Sequence, residues 1–220
     1  MPGEEEKRLK LTYTIQPQDQ RGILLDLPFS GKVDTALAAE DKEWMPKIRH
    51  AFSIPPLADP GMYRVRISVK DELAGVESHA EAQFSVRGRL VEPSETLTIR
   101  NFRFLRTDED SPRSLDPPAY RPGDPVYARF EITGYKLIDK NRFSVEYGIE
   151  VLRPDGERIF AEPTAASEQQ ESFYPKRYME GAVQLGFKPA LSAGEYTVVI
   201  TVRDLEGKQT HEGRFLFRVE

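Results

Sequence analysis

Hydrophobic and polar residues alternate along much of this chain, and that alternation predicts β-strands. In one stretch every second position is apolar, with Arg, Ser or Lys between: Tyr63, Val65, Ile67 and Val69. Period-two alternation places one set of side chains on the dry face of a sheet and the other set on its wet face. The chain is therefore predicted to be all-β.

A second copy of this strand lies 133 residues further along the chain. It carries the same alternation at Tyr196, Val198, Ile200 and Val202. Nine positions between 56 and 86 are identical at this offset, where average residue usage predicts about two. The repeat predicts two tandem antiparallel β-sandwich domains, 1–90 and 94–220.

Both copies of the strand begin with a short motif, Gly61-Met62-Tyr63 in the first and Gly194-Glu195-Tyr196 in the second. The motif resembles the tyrosine corner of immunoglobulin-like sandwiches. Through this strand and the one that follows it in each copy, the chain resembles the tandem immunoglobulin-like and fibronectin-type domains of bacterial surface proteins. Antibody domains carry a cysteine two residues after this tyrosine, whereas Val65 and Val198 stand there in this chain. The resemblance implies a fold and no activity.

The second domain has about seven predicted strands, as such a sandwich needs, and the first domain is shorter. Residues 9–15 and 23–25 look like the second domain from 145 to 160, so the first domain lacks counterparts of residues 97–140. Two explanations stay open. Either the chain begins inside a sandwich, as a truncated first domain would, or the first domain is a smaller, five-stranded one.

Composition and charge narrow the classes of function. The 220-residue chain has no cysteine, which excludes disulfides, thiol catalysis and cysteine-ligated zinc. Its net charge of −5 is spread along the chain, so nucleic acid is not an expected partner. No apolar run approaches the roughly 18 residues of a membrane span. The charged start, residues 1–6, is no signal peptide; we expect a cytosolic protein, or one whose export segment lies outside this sequence.

Two aromatic segments between the middle strands are the candidate binding sites. The first holds Trp44 just before Pro46-Lys47, and the second holds aromatic residues around Pro175-Lys176: Phe173, Tyr174 and Tyr178. Rigid aromatic side chains give a large contact area at little entropic cost. The alternative is that these rings pack back onto the sandwich and cap its core. Residues 35–43 are also predicted to add a short helix near the first segment.

Catalytic and metal-binding motifs are not recognisable in the sequence. No nucleophile elbow, phosphate-binding loop or paired-histidine motif occurs,. His79 and His211 are expected in the connections of the two repeated hairpins. The acids of Thr107–Ser111 are a candidate calcium loop, with a solvated loop as the alternative. No cofactor and no catalytic residue are expected.

The sequence therefore favours a non-catalytic binding or spacer module of a bacterial envelope or secreted protein. It would contact a protein or glycan partner through its inter-strand loops. The alternative is a carbohydrate-binding accessory domain of a polysaccharide-active enzyme. An enzyme with a site grafted onto the sandwich is a third hypothesis. By analogy of fold, the expected location is periplasmic or secreted.

Overall fold

The structure is a computed structural model that describes residues 7–38, 44–56, 58–88, 90–107, 113–186 and 191–220. About 59% of the chain is strand and 2% is helix, so the predicted all-β class is confirmed. The chain divides into two compact units, Met1–Leu90 and Val91–Glu220. The assignment of the two as tandem immunoglobulin-like domains stays a prediction.

The first unit is built on one antiparallel sheet. Its strands are β1 (Lys7–Gln18), β2 (Phe29–Leu37), β3 (Gly61–Asp71) and β4 (Val76–Val86). They lie in the order β2-β1-β3-β4. Four strands are thus described in this unit, where the smaller-domain explanation expected five.

The short helix predicted over residues 35–43 is wrong where it is described. Residues 35–37 belong to β2, and residues 39–43 lie outside the described part of the chain. In β2, Val33 pairs with Leu11 and Thr35 pairs with Leu9. Pairing with β1 places these alternate side chains on one face of the sheet, and this tertiary gain exceeds the weak helical preference of a short segment.

The second unit contains two sheets. The first holds three strands, β5 (Thr98–Leu105), β7 (Val126–Thr133) and β10 (Tyr178–Leu185), in the order β10-β7-β5. The second has the order β6-β12-β11-β8-β9, and its strands are β6 (Ala119–Tyr120), β8 (Phe143–Leu152), β9 (Arg158–Gln170), β11 (Gly194–Asp204) and β12 (Gln209–Val219). About seven strands were predicted, and the described eighth is the two-residue β6.

Helical structure in the described residues is limited to a 3-10 turn at Asp139–Asn141. None of the described helical structure is long and apolar enough to cross a lipid bilayer.

The two sheets of the second unit enclose one hydrophobic core, the arrangement of a β-sandwich. Phe102 stacks on Phe215 with ring centroids 3.5 Å apart, and Phe130 meets Tyr147 edge-on at 5.2 Å. Each pair joins one sheet to the other. Burial is complete in the middle of β11, at Val198, Ile200 and Val202, which are 0% exposed.

The tyrosines of both Gly-x-Tyr motifs make the hydrogen bond that the resemblance to a tyrosine corner implies. The Tyr63 hydroxyl donates to the Asp59 carbonyl oxygen at 2.6 Å, and the Tyr196 hydroxyl donates to the Ser192 carbonyl oxygen at 2.9 Å. Both tyrosines are buried. The bond satisfies a buried hydroxyl and fixes the loop before the strand.

Alkaline pH should destabilise the second unit. The Tyr120 hydroxyl donates to the carbonyl oxygens of Leu105 and Tyr127, and burial raises its pKa from 10.0 to about 12. Its contribution to stability is therefore complete below pH 10 and is lost as the pH rises from 10 through 12, because the unfolded chain ionises first. Urea unfolding across this range should show the fall, and Tyr120→Phe should reduce it. An equal fall in this variant would contradict the assignment.

Candidate interaction surface

One face of the first unit's sheet is apolar but only partly covered. We call it the inner face; it carries the alternate side chains of all four strands. On the central strands these are Leu9, Leu11, Tyr13, Ile15 and Pro17 of β1 and Tyr63, Val65, Ile67 and Val69 of β3. Tyr63 and Pro17 are buried, and the others are half-buried.

The second unit provides a matched reference for this face. Its strands β9-β8-β11-β12 have the same order and pairing as β2-β1-β3-β4. Val198, Ile200 and Val202 are fully buried there, whereas Val65, Ile67 and Val69 at the same offset are half-buried. The difference arises because β5, β7 and β10 cover the second unit's sheet, and no second sheet is described in the first unit.

A segment without regular secondary structure, residues 44–56, lies across part of the inner face. The His50 ring stacks on Phe29 of β2 with centroids 4.2 Å apart, and Phe52 contacts Phe84 of β4 at 5.9 Å. Phe84 in turn meets Tyr63 at 5.8 Å. The segment is thus held on the end of the face where these aromatic residues lie.

The same segment exposes large hydrophobic side chains. Trp44, the chain's one tryptophan, is 43% exposed, and Met45 is 76% exposed. Ile48 and Ile54 are also exposed. Together with the half-buried inner face, they make up the candidate that we call the first-unit surface: residues 44–54 and the inner face.

The second predicted aromatic segment is mostly part of the core. Phe173 is half exposed, but Tyr174 and Tyr178 are only 7% and 5% exposed. Tyr178 is the first residue of β10, and the Ser172 hydroxyl donates to the Tyr174 carbonyl oxygen at 2.7 Å. Tyr174 and Tyr178 thus fit the alternative in which the rings pack back onto the sandwich, and they offer little area to a partner. Whether Trp44 and Phe173 bind a partner stays a prediction.

Phe173 sits on a rigid loop. The Asn141 side-chain amide donates to the carbonyl oxygens of Ser172 and Phe173 at 3.1 and 2.8 Å. The buried Tyr135 hydroxyl donates to the Lys176 carbonyl oxygen at 2.9 Å. These bonds hold the backbone on both sides of the exposed ring.

Each aromatic segment has a lysine directly after a proline, but the two lysines have different surroundings. Lys176 binds the Glu168 carboxylate and lies 5.7 Å from the centre of the Phe143 ring. Lys47 is exposed. The shared Pro-Lys pair therefore does not mark a common site.

The outer face of the first unit's sheet is polar. A concavity of about 450 Å³ on this face is lined by Arg66, Ser68 and Glu81, among others. His79 shares a 3.0 Å hydrogen bond with the Ser68 hydroxyl. His79 and His211 lie within β4 and β12, not in the connections where they were expected, because both hairpins close on tighter turns.

Metal binding receives no support from the described residues, among which no group of three or more His, Asp or Glu side chains could hold an ion. Residues 108–111 of the candidate calcium loop lie outside the described part of the chain.

Comparison with known proteins leaves the family open. No family model and no curated protein matches the chain. Among solved structures, it is similar to a family 123 glycoside hydrolase from Clostridium perfringens, studied for glycolipid glycan hydrolysis, with 14% identity and a TM-score of 0.37. The match covers 57% of this chain and 27% of that one, so this chain spans about a quarter of the enzyme structure. A similarity this small carries no functional conclusion.

The sequence pointed to the segment that holds Trp44 and Met45, but it gave no signal for Ile48 and Ile54. These two were hidden because an apolar residue in a loop gives no periodic signal. One feature of the sequence indicated the open inner face: the first unit lacks counterparts of residues 97–140. In the second unit these residues form β5 and β7.

Because the two sheets are covered to different extents, the same substitution should cost the two units different free energies of unfolding. Ile200→Ala should cost the second unit about 3 kcal/mol, because it leaves a cavity in a closed core. Ile67→Ala should cost the first unit about 1 kcal/mol in dilute solution, because the half-buried side chain already contacts water. Hydrogen exchange read separately on peptides of β11 and β3 measures both. Equal losses of protection would show that the inner face is closed.

Proposed function

We propose that this chain is a non-catalytic binding module that contacts a partner protein through the first-unit surface. The observation that carries the proposal is the exposure of large apolar side chains beside a half-covered apolar sheet. Contiguous apolar surface of this kind is uncommon on monomers and marks interaction sites. A place in a bacterial envelope or secreted protein belongs to the proposal, supported by the resemblance to bacterial sandwich domains.

The chemistry of the surface favours a protein over a sugar. Met45, Ile48 and Ile54 have aliphatic or thioether side chains that neither donate nor accept strong hydrogen bonds. The inner face contributes further aliphatic side chains. Sugars require hydrogen-bonding groups beside an aromatic plane, whereas the fully desolvated centre of a protein interface is apolar.

Trp44 is the only tryptophan of the chain, so its fluorescence reports directly on binding at the first-unit surface. Peptides selected from a displayed random library against the full chain should be rich in apolar residues and should shift the emission of Trp44 when they bind. Met45→Ser with Ile48→Ser should weaken their binding at least about 10-fold, as expected when buried apolar area is lost.

Leu216→Ser is the matched control, because Leu216 is 53% exposed on the second unit. It should leave peptide affinity unchanged. Selection that yields no peptide dependent on Met45 and Ile48 would refute binding through the first-unit surface.

A second candidate function is glycan binding at Phe173. The exposed ring stands on a fixed loop next to Glu171, which pairs with Lys140 at 3.6 Å. An aromatic plane with charged neighbours suits the apolar face and the hydroxyl groups of a sugar. A panel of oligosaccharides that binds wild type but not Phe173→Ala would favour this function, and absence of binding across the panel would remove it.

A further inference from the structure

We infer that the first unit pairs with a second copy of itself, the two inner faces packing together as the two layers of one sandwich. The inference rests on the proposed function, since it names a second copy of this chain as the partner of the first-unit surface.

The matched sheet of the second unit shows what such a face requires. There, a second sheet with an apolar face reduces the exposure of Val198, Ile200 and Val202 to zero. The first unit has the same strand order but no second described sheet. Each copy of the chain therefore carries an apolar sheet that its described residues cover only at the end where residues 44–56 lie, and each could supply the second layer that the other lacks.

The inner face carries little charge, so two copies of it can pack together without electrostatic repulsion. From Leu9 onwards, its described side chains are apolar or small, except for Asp71 at the end of β3. The Asp71 carboxylate accepts hydrogen bonds from the backbone N–H groups of Leu73 and Ala74 in the following turn. Like charges facing each other across an interface cost several kcal/mol, and the centre of this face has none.

The size of the face sets an upper limit on the area that a dimer can bury. Four strands of 9 to 12 residues cover a plane of about 19 by about 33 Å, or roughly 600 Å². Residues 44–56 already cover one end of this plane, so two such faces bury at most about 1,200 Å², the size of a weak interface. A weak dimer of this kind is expected to dissociate with a Kd on the order of 10 μM.

Side-chain sizes on β4 favour close approach of a second layer. Ala80 and Ala82 stand on the inner face opposite Ile67 and Val65 of β3, and both alanines are exposed. Small side chains on an outer strand beside branched ones on the central strands let two twisted sheets interdigitate at a spacing of about 10 Å.

Sedimentation of the full chain tests the inference. The weight-average mass should rise from the 25.1 kDa of the monomer towards twice that value between about 1 and about 500 μM, as a Kd on the order of 10 μM requires. Ala80→Lys should raise the Kd at least about 100-fold, because a lysine would be buried between the layers.

The monomer should tolerate this variant, since Ala80 is exposed on an edge strand and lysine is common at such positions,. His79→Lys is the matched control one residue away, on the outer face. It should leave the Kd within about 3-fold of wild type, a difference of under 1 kcal/mol.

A second readout uses the absence of cysteine from the chain. The thiol introduced by Ala80→Cys should react with a maleimide more slowly as protein concentration rises, while that introduced by His79→Cys should react at a constant rate. Protection of the Ala80→Cys thiol that is independent of concentration would overturn the inference, because the cover would lie within one chain.

Different results would refute the proposed function and the pairing of the inner faces. A chain that stays monomeric up to about 500 μM, or a dimer unaffected by Ala80→Lys, overturns pairing of the inner faces. If apolar peptides still bind with dependence on Met45 and Ile48, the proposed function stands without the dimer. If the dimer forms and no such peptide is selected, the binding of a different protein fails while the self-pairing holds.

Discussion

Replacing Gly134 by alanine should lower the free energy of unfolding of the second unit by about 4 kcal/mol. Gly134 has a backbone φ of +79°, and a Cβ atom there would clash with the carbonyl oxygen of Thr96. The left-handed conformation costs a residue with a side chain about 1–2 kcal/mol. The clash adds the larger part, because its partner is backbone that enters β5 and cannot rotate away.

Gly156→Ala separates the two contributions. Its φ of +86° is similar, but no atom lies within 4 Å of the position of the added Cβ. We expect a loss of about 1 kcal/mol from conformation alone. Denaturant unfolding of both variants, followed by hydrogen exchange in the second unit, measures the difference. Equal losses would mean that the Thr96 backbone moves aside without cost.

Asp204→Ala should destabilise the second unit by a similar amount, about 4 kcal/mol. The Asp204 carboxylate is 1% exposed and accepts three backbone hydrogen bonds. Two come from Glu206 and Gly207 in the hairpin turn, and the third comes from Lys136 at 2.9 Å. All three hydrogen bonds are part-buried. Alanine would remove their shared acceptor, and a donor left without a partner costs up to about 1–3 kcal/mol where water cannot reach it.

The repeat supplies the control for this variant. Asp71 stands at the same place in the first unit, and its carboxylate accepts two bonds within its own turn, from Leu73 and Ala74. Water can replace them because both residues are exposed. Asp71→Ala should cost about 1 kcal/mol. A cost near that of Asp204→Ala would show that the turn alone, and not its link to Lys136, stabilises the hairpin.

The repeated aspartate illustrates how the two units differ. Both copies use it to close the β-hairpin, which is a local task. Only in the second unit does it also bind a neighbouring loop, because only there does the described structure place residues 134–137 next to the hairpin. The same holds for the strands themselves: Ile67 and Ile200 occupy equal positions in the repeat, and their burial depends on what lies opposite.

The proposed interaction through the first-unit surface rests on that difference. A sheet that is covered in one unit and half-covered in the other has apolar area available for a partner. Exposed Met45 and Ile48 extend this area beyond the sheet. Pairing of two copies would give each first unit the second layer that β5, β7 and β10 supply in the second unit.

The sequence by itself determined the strands, the repeat and the tyrosine corners. Alternation at Tyr63–Val69 and Tyr196–Val202 is a local pattern, since successive side chains of any strand point to opposite faces. The corner hydrogen bonds of Tyr63 and Tyr196 span four residues and are local as well. For the strands and the tyrosine hydrogen bonds, information within about ten residues of sequence is sufficient.

Only the tertiary structure decided which residues cover each strand and loop. Residues 35–37 became strand because β1 lies beside them, and Tyr174 and Tyr178 became core because the second unit closes over them. Exposure of Trp44 and Phe173, and the half-covered state of Ile67, likewise depend on residues far away in sequence. Burial is a property of the neighbours that a side chain meets, and the alternation of a strand specifies a dry face without specifying what covers it.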